Sequence, residues 1–201
     1  MTMKRTIIVS AVVVALAAMA MPGCLKDKVI EIVLTGETYA DFSQDEASEN
    51  FVNAAVVDMG QEIRDILADN GYSTDDILEA HLTSASYGVT AFSQAHDWEI
   101  SGRIDVTYKG QTETAILYDT QSVQDALGKK IPAELQGPAV DLINTALDDF
   151  LANENPILTF TVVNGAVTPA PSGADRMIFD WRAWIAIQVI ISESVEVPDP
   201  F

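Results

Sequence analysis

An α+β fold, built on a curved and mostly antiparallel sheet with two amphipathic helices packed on one face, is what three features of this 201-residue chain predict. Several segments alternate apolar and polar residues at the period of a half-buried strand. Two others carry apolar residues at helical spacing. A last stretch, Met177 to Ile191, alternates without a break over 15 residues, which at roughly 3.3 Å per residue is about 50 Å of strand. So long a strand must twist and bend. The predicted order is β-α-β-β-β-α-β-β, in a single domain over residues 29–197.

Val29 to Leu34 reads as the first strand, with Ile30, Ile32 and Leu34 on one face. A long helix is expected next, with Ser43 and Asp45 as candidate N-caps and Val52, Ala55, Val56, Met59, Ile63, Ile66 and Leu67 at helical spacing. Asn70-Gly71 supplies its C-terminal stop. Ser73-Thr74-Asp75-Asp76 looks like the cap of a short helical turn. Leu82 to Phe92 is rich in Thr, Ser, Tyr and Val and favours a strand. Trp98, Ile100, Ile104, Val106 and Tyr108 mark one face of the next strand, opposite Asp97, Glu99, Ser101, Arg103, Asp105 and Thr107. Lys109-Gly110-Gln111 turns into Thr112 to Asp119, which predicts an antiparallel hairpin. The second helix begins near Pro138 and buries Val140, Ile143, Leu147 and Phe150 or Leu151. Ile157 to Val163 follows as a strand, and Asn164-Gly165 signals a two-residue hairpin to a short return at Ala166 to Thr168. In the last strand, Met177, Phe179, Trp181, Ala183, Ile185, Ile187, Val189 and Ile191 form the apolar face, while Ile178, Asp180, Arg182, Trp184, Ala186, Gln188 and Ile190 form the other.

The N-terminus reads as an export signal over residues 1–23. Lys4 and Arg5 form its positive region, Ile7 to Met21 its apolar core, and Pro22-Gly23 ends the apolar run before it is long enough to favour a spanning helix. Met21-Pro22-Gly23-Cys24 resembles the lipobox of bacterial lipoproteins, with Gly23 as the small residue and Met21 where leucine is usual. The resemblance covers the first 24 residues, and it implies that Cys24, the only cysteine, is lipidated. Residues 24–28 would then be a tether, and Leu25, which is not Asp, would permit sorting to the outer membrane in a Gram-negative cell. Ordinary cleavage that leaves Cys24 a thiol, and an uncleaved anchor, are the alternatives. Several acyl chains, at about 0.8 kcal/mol per buried CH₂, hold a protein stably where one does not.

The chain has 11 basic and 30 acidic residues, a net charge of −19. Loss of Lys4 and Arg5 with the signal takes the mature part to about −21. A body this acidic lacks the basic patch that nucleic acids require, so no nucleic-acid partner is expected. Anionic headgroups would repel it too, so membrane attachment falls to the anchor. An excess of Asp with few Lys suits either a salt-rich habitat or a plain, well-solvated exported protein. With one cysteine, no disulfide forms within the chain, and packing alone must stabilise it.

Catalytic patterns are missing: there is no G-x-S-x-G, H-E-x-x-H, Walker A or G-x-G-x-x-G segment, and His81 and His96 are the only histidines. No catalytic residue, metal ligand or cofactor is assigned. His96-Asp97 with Glu99 makes a weak metal constellation against a solvated hairpin rim. Asp75-Asp76 reads as a cap and Asp148-Asp149 as a solvated helix face. Arg182 beside Trp184, on the face opposite the core row, is the candidate partner contact, provided that no helix or loop covers it. Phe201 belongs to a tail, residues 198–201, behind Pro198 and Pro200. Together these features predict a lipid-anchored envelope protein acting as a non-catalytic binding or scaffolding module for an envelope partner or an apolar ligand. A carboxylate- or metal-dependent hydrolase is the alternative.

Growth with radioactive palmitate is expected to label the protein, and Cys24→Ser to abolish the label. A secreted, unlabelled protein is the contrary outcome.

Overall fold

The computed structural model describes residues 12–13, 27–94, 97–172 and 175–196. Cys24, His96 and the tail at 198–201 lie outside the described residues. Val12–Val13 form a two-residue strand, β1, followed by β2 (Asp27–Glu46), β3 (Asn50–Asp58), α1 (Met59–Asp69), a 3-10 turn (Thr74–Asp76) and β4 (Ile77–Phe92). Next come β5 (Glu99–Tyr108), β6 (Gln111–Ser122), α2 (Val123–Ala126), β7 (Ile131–Ala133), α3 (Gly137–Leu151), β8 (Ile157–Thr168) and β9 (Met177–Glu196). The fold is mostly antiparallel sheet with helices, but the strands form two sheets, ordered β1-β2-β9-β4-β7 and β3-β8-β5-β6.

Strand β9 lies inside the first sheet, and its predicted apolar row, Met177 through Ile191, is buried at every position. It pairs with β2 through 20 consecutive residue pairs, from Asp27 opposite Glu196 to Glu46 opposite Met177, with no bulge. β2 therefore runs well past Leu34. Its inward positions continue as Gly36, Thr38, Ala40, Phe42 and Gln44, all buried. Small and polar residues at those positions hide the alternation from a hydrophobicity reading.

The segment around Val52 is strand, not helix. Phe51 and Val57 point inward while Val52 and Val56 are each 68% exposed, a period of two that β-branched residues favour. Ser43 and Asp45 are accordingly residues of β2 and cap nothing. Asp58 is the true N-cap, its carboxylate accepting from Gln61 N at 2.9 Å. The predicted end of α1 is as expected, with Asn70 at the C-cap and Gly71 at φ +81°.

Asn164-Gly165 makes a bulge instead of a hairpin turn. β8 runs straight through it, and the register shifts by a residue against both β3 and β5 there. Asn164 takes φ +53°, which Asn tolerates, and the extra residue bends the strand. Lys109-Gly110, with φ of +46° and +81°, does form the two-residue turn between β5 and β6.

Both longer helices touch both sheets: α1 meets β2 and β8, and α3 meets β4, β5 and β6. They are wedged between the layers, not laid on one face of a single sheet. The reason is steric fit. Gly36 leaves room for Ile66 of α1, whose Cδ1 would lie 2.2 Å from a Cβ at that position. α3 buries Ala139, Leu142, Ile143, Ala146, Leu147 and Phe150, and Asn144 accepts from Leu82 N at 3.0 Å. Away from the helices the sheets meet through aromatic rings, with Tyr118 edge-on to Trp181 at 5.5 Å and Phe42 against Trp181 at 4.8 Å.

Gln44, opposite Phe179 in the ladder, is buried, and neither of its amide atoms has a hydrogen-bond partner among the described residues. Leaving a polar group so costs roughly 1–3 kcal/mol. Gln44→Met, of similar shape, should raise unfolding stability in urea by about 1 kcal/mol or more. A loss of stability would show instead that the amide makes a contact the fold depends on.

Candidate functional site

The outward face of the first sheet is read directly from its register, since alternate residues of β2, β9 and β4 stand in rows across it. Asp41 lies opposite Arg182, which lies opposite Gly88. One step along, Tyr39 lies opposite Trp184 and Trp184 opposite Ser86. On the other side, Ser43 lies opposite Asp180, and a bulge inserts Thr90 of β4 beside that pair. The two residues singled out as a partner contact, Arg182 and Trp184, are thus neighbours on one face, and both are half-buried.

Arg182 organises the patch. Its Nε and Nη2 donate to Asp41 Oδ1 and Oδ2 at 2.5 and 2.9 Å, a two-point pairing of guanidinium with carboxylate. The same guanidinium lies 3.6 Å from the Tyr39 ring centroid and 5.9 Å from that of Trp184. Lys130 Nζ sits 4.9 Å from the Trp184 centroid and pairs with Glu37. The chain that brings Lys130 passes close over β4: a Cβ on Gly88 would come within 1.9 Å of Lys129 O. Glycine at that position is what lets residues 127–130 cross there. Among the described residues no helix covers Trp184; a strip of chain flanks it, and Asp41, Ser43, Thr90 and Asp180 on the same face are exposed.

Beside this platform is a cleft of about 310 Å³ lined by Asp41, Phe42, Ser43, Thr90, Asp180, Trp181 and Arg182. Phe42 and Trp181 turn their side chains to the core, so their contribution to this outward cleft is the backbone of its floor. The polar walls are two carboxylates, two hydroxyls and the guanidinium.

The remaining candidate groups have structural partners. His81 is exposed and meets Glu79 at 2.9 Å. Among the described residues, no three His, Cys, Asp or Glu side chains gather as a metal site. Asp97 accepts from Ser122 Oγ and from the backbone amides of Gln124 and Trp98, both at 2.8 Å, which ties the start of β5 to α2. Partial burial pulls its pKa upward, but these three hydrogen bonds outweigh that and hold it below the usual carboxylate range. Asp76 caps its turn from Ser73, as expected. Asp149 is more than a solvated acid: Tyr108 OH donates to it at 2.7 Å and Lys109 Nζ lies 2.9 Å away, fastening α3 to the hairpin. Burial and that bond push the Tyr108 hydroxyl up to about 12.

Tyr39, Asp41, Thr90 and Lys130 were not found from sequence. For Tyr39 and Asp41 a signal existed, because carrying the period of Val29 to Leu34 onward places both on the outward face. For Thr90 and Lys130 there was none, since a bulge and a loop crossing bring them in.

No protein-family model matches the chain, and no curated protein does. Among solved structures, a chain titled Desmodium yellow mottle tymovirus aligns at 14% identity over 92% of this chain and 98% of that one, with a TM-score of 0.27. A superposition that poor establishes no shared fold.

Asp97→Ala should cost roughly 1 kcal/mol near neutral pH, as loss of a capping carboxylate does. Because the folded-state pKa is depressed, this contribution is complete above the unfolded value of about 3.9 and disappears as pH falls through the folded one. Urea unfolding of both proteins at falling pH is therefore expected to converge. A gap that persists in acid would assign the effect to something other than the ionised carboxylate.

Proposed function

We propose that the protein is a lipid-anchored module of the cell envelope, held through Cys24, which binds another envelope component and performs no catalysis. The anchor keeps a domain of about −21 at a membrane that its charge alone would not approach. In a Gram-negative source the sorting rule at Leu25 directs it to the outer membrane. The observation that carries the binding role is the Tyr39–Arg182–Trp184 platform on an open sheet face. Aromatic and arginine side chains are enriched where proteins make energetically dominant contacts. Here the guanidinium is pre-oriented by Asp41, which lowers the ordering cost of binding.

The hydrolase alternative calls for a concave pocket in which at least two acids converge with His81 or His96. His81 pairs with Glu79 and does not line the cleft that holds Asp41 and Asp180, and His96 lies outside the described residues.

Crosslinking in intact envelopes followed by pull-down tests the role without a guess about the partner. Trp184→Ala should leave the domain folded by circular dichroism and remove most of the crosslinked product. If the variant unfolds, Trp184 is a core residue, and if it crosslinks like the wild type, the platform is not the contact.

A further inference from the structure

One edge of the first sheet is open along most of a strand. β2 pairs with β9 through all 20 of its residues, but on its other side only β1 lies, with Val12 opposite Val33 and Val13 opposite Ile32. In an antiparallel ladder alternate residues turn N–H and C=O to opposite sides, so half of the backbone groups of β2 face away from β9. Towards the end of the strand, Asn53 Nδ2 of β3 donates to Ser43 O at 2.6 Å. Between Val29 and Glu37, no described segment other than β1 and β9 bonds the backbone.

Little closes the edge in that stretch. It has no proline, its ladder to β9 has no bulge, and its buried or half-buried inward residues, Ile30, Ile32, Leu34 and Gly36, carry no charge. Glu31 and Glu37 are its only charges; both are exposed, Lys130 pairs with Glu37, and Glu31 has no partner among the described residues. An extended segment added to such an edge is held by main-chain hydrogen bonds, and its alternate side chains give selectivity. The segment already seated there is a pair of valines, opposite one buried residue, Ile32, and one half-buried residue of the other face, Val33. An occupant must therefore be apolar beside Ile30, Ile32 and Leu34, and free of acids beside Glu31. A second β2 fits poorly, since it brings its own Glu31 and another chain of net charge −19. Val12 and Val13 precede the cut proposed before Cys24, so the processed chain loses them.

We propose that the outer edge of β2, from Val29 to Glu37, is a strand-addition site, filled in the processed chain by an extended, β-branched apolar segment of an envelope partner. The assignment rests on the cleavage at Cys24, and names how the partner is held.

The test uses the mature protein, purified from envelopes in detergent, with its N-terminus read by mass spectrometry. The probe is a fluorescent peptide with the sequence of residues 8–16 and a lysine at each end for solubility. Fluorescence anisotropy is expected to report binding. Two further peptides are N-methylated at alternate residues, one at the positions of Val12 and Val14, the other at those of Val13 and Ala15. Only one edge of an added strand faces β2, so one set should weaken binding at least about tenfold and the other leave it nearly unchanged. Amide exchange of the protein should slow at alternate residues between Val29 and Glu37 when the peptide binds. No binding, equal effects of the two methylated sets, or protection elsewhere overturns the assignment. So does a dimer in sedimentation that the peptide dissociates, which would give the edge to a second copy. Failure here is separable from failure of the anchor. If the chain is cut but the peptide does not bind, only the strand-addition site falls. If residues 1–23 are still attached, the anchor reading falls, and the edge is tested in that chain. Val12→Asp with Val13→Asp should then raise peptide affinity at least about tenfold, by freeing the edge. An unchanged affinity would overturn the strand-addition site as well.

Discussion

Strands β2 and β9 pair residue by residue over 20 positions, and the rest of the molecule is placed by that register. Side chains alternate with a strict period of two, so a slip of one residue would turn Met177, Phe179, Trp181, Ala183, Ile185, Ile187, Val189 and Ile191 out to water. Burying a single large apolar side chain is worth about 1.5–3 kcal/mol, and the seven large residues of this row penalise any slipped alternative heavily. No bulge interrupts the ladder, so the constraint acts along its whole length. The bulges are on the other partner of β9, at β4, where local distortion brings Thr90 forward.

One ladder thus serves two faces. Inward, it supplies the surface against which α1, α3 and the aromatic cluster pack, and Gly36 is the point at which it yields to Ile66. Outward, the same register stacks Ser43 with Asp180, Asp41 with Arg182 and Tyr39 with Trp184 in consecutive rows. Arg182 and Trp181 are adjacent in sequence but face opposite sides of one sheet. The rigidity of the packed side is what holds the guanidinium, the rings and the cleft in a fixed arrangement on the open side.

The acidity of the chain acts on this arrangement without determining it. Carboxylates with defined partners, Asp41, Asp97, Asp105 and Asp149, tie strands and helices together through hydrogen bonds. The larger number lie exposed and set the long-range field, which discourages anionic partners and favours solubility. Gln44, Tyr118 and Trp181 show the opposite economy: among the described residues, their buried polar atoms have no partner at the place where the two sheets meet. That seam is where the core departs furthest from complete hydrogen bonding.

How much was legible in the sequence followed how strongly each segment committed to one period. β9 was readable because every second residue is apolar, and the β5–β6 hairpin because Lys109-Gly110 sits between two alternating runs. The end of α1 and the Ser73 cap were readable because capping is local chemistry. Val52 to Asp58 was not, since valines and alanines spaced at three and four also fit a period of two, and only pairing with β8 decides between them. Asn164-Gly165 carries a hairpin signal in isolation, yet β3 and β5 on either side hold the strand straight and convert the turn into a bulge. Of the outward patch, the sequence by itself determined that Arg182 and Trp184 share a face opposite the core, because strand geometry requires it. Tertiary structure alone decided that Asp41 and Tyr39 join them, that a loop carries Lys130 over the ring, and that Thr90 and Ser43 flank Asp180. Those contacts come from residues about 40 to 150 positions away in the chain, and long-range pairing has no signature in local composition or period.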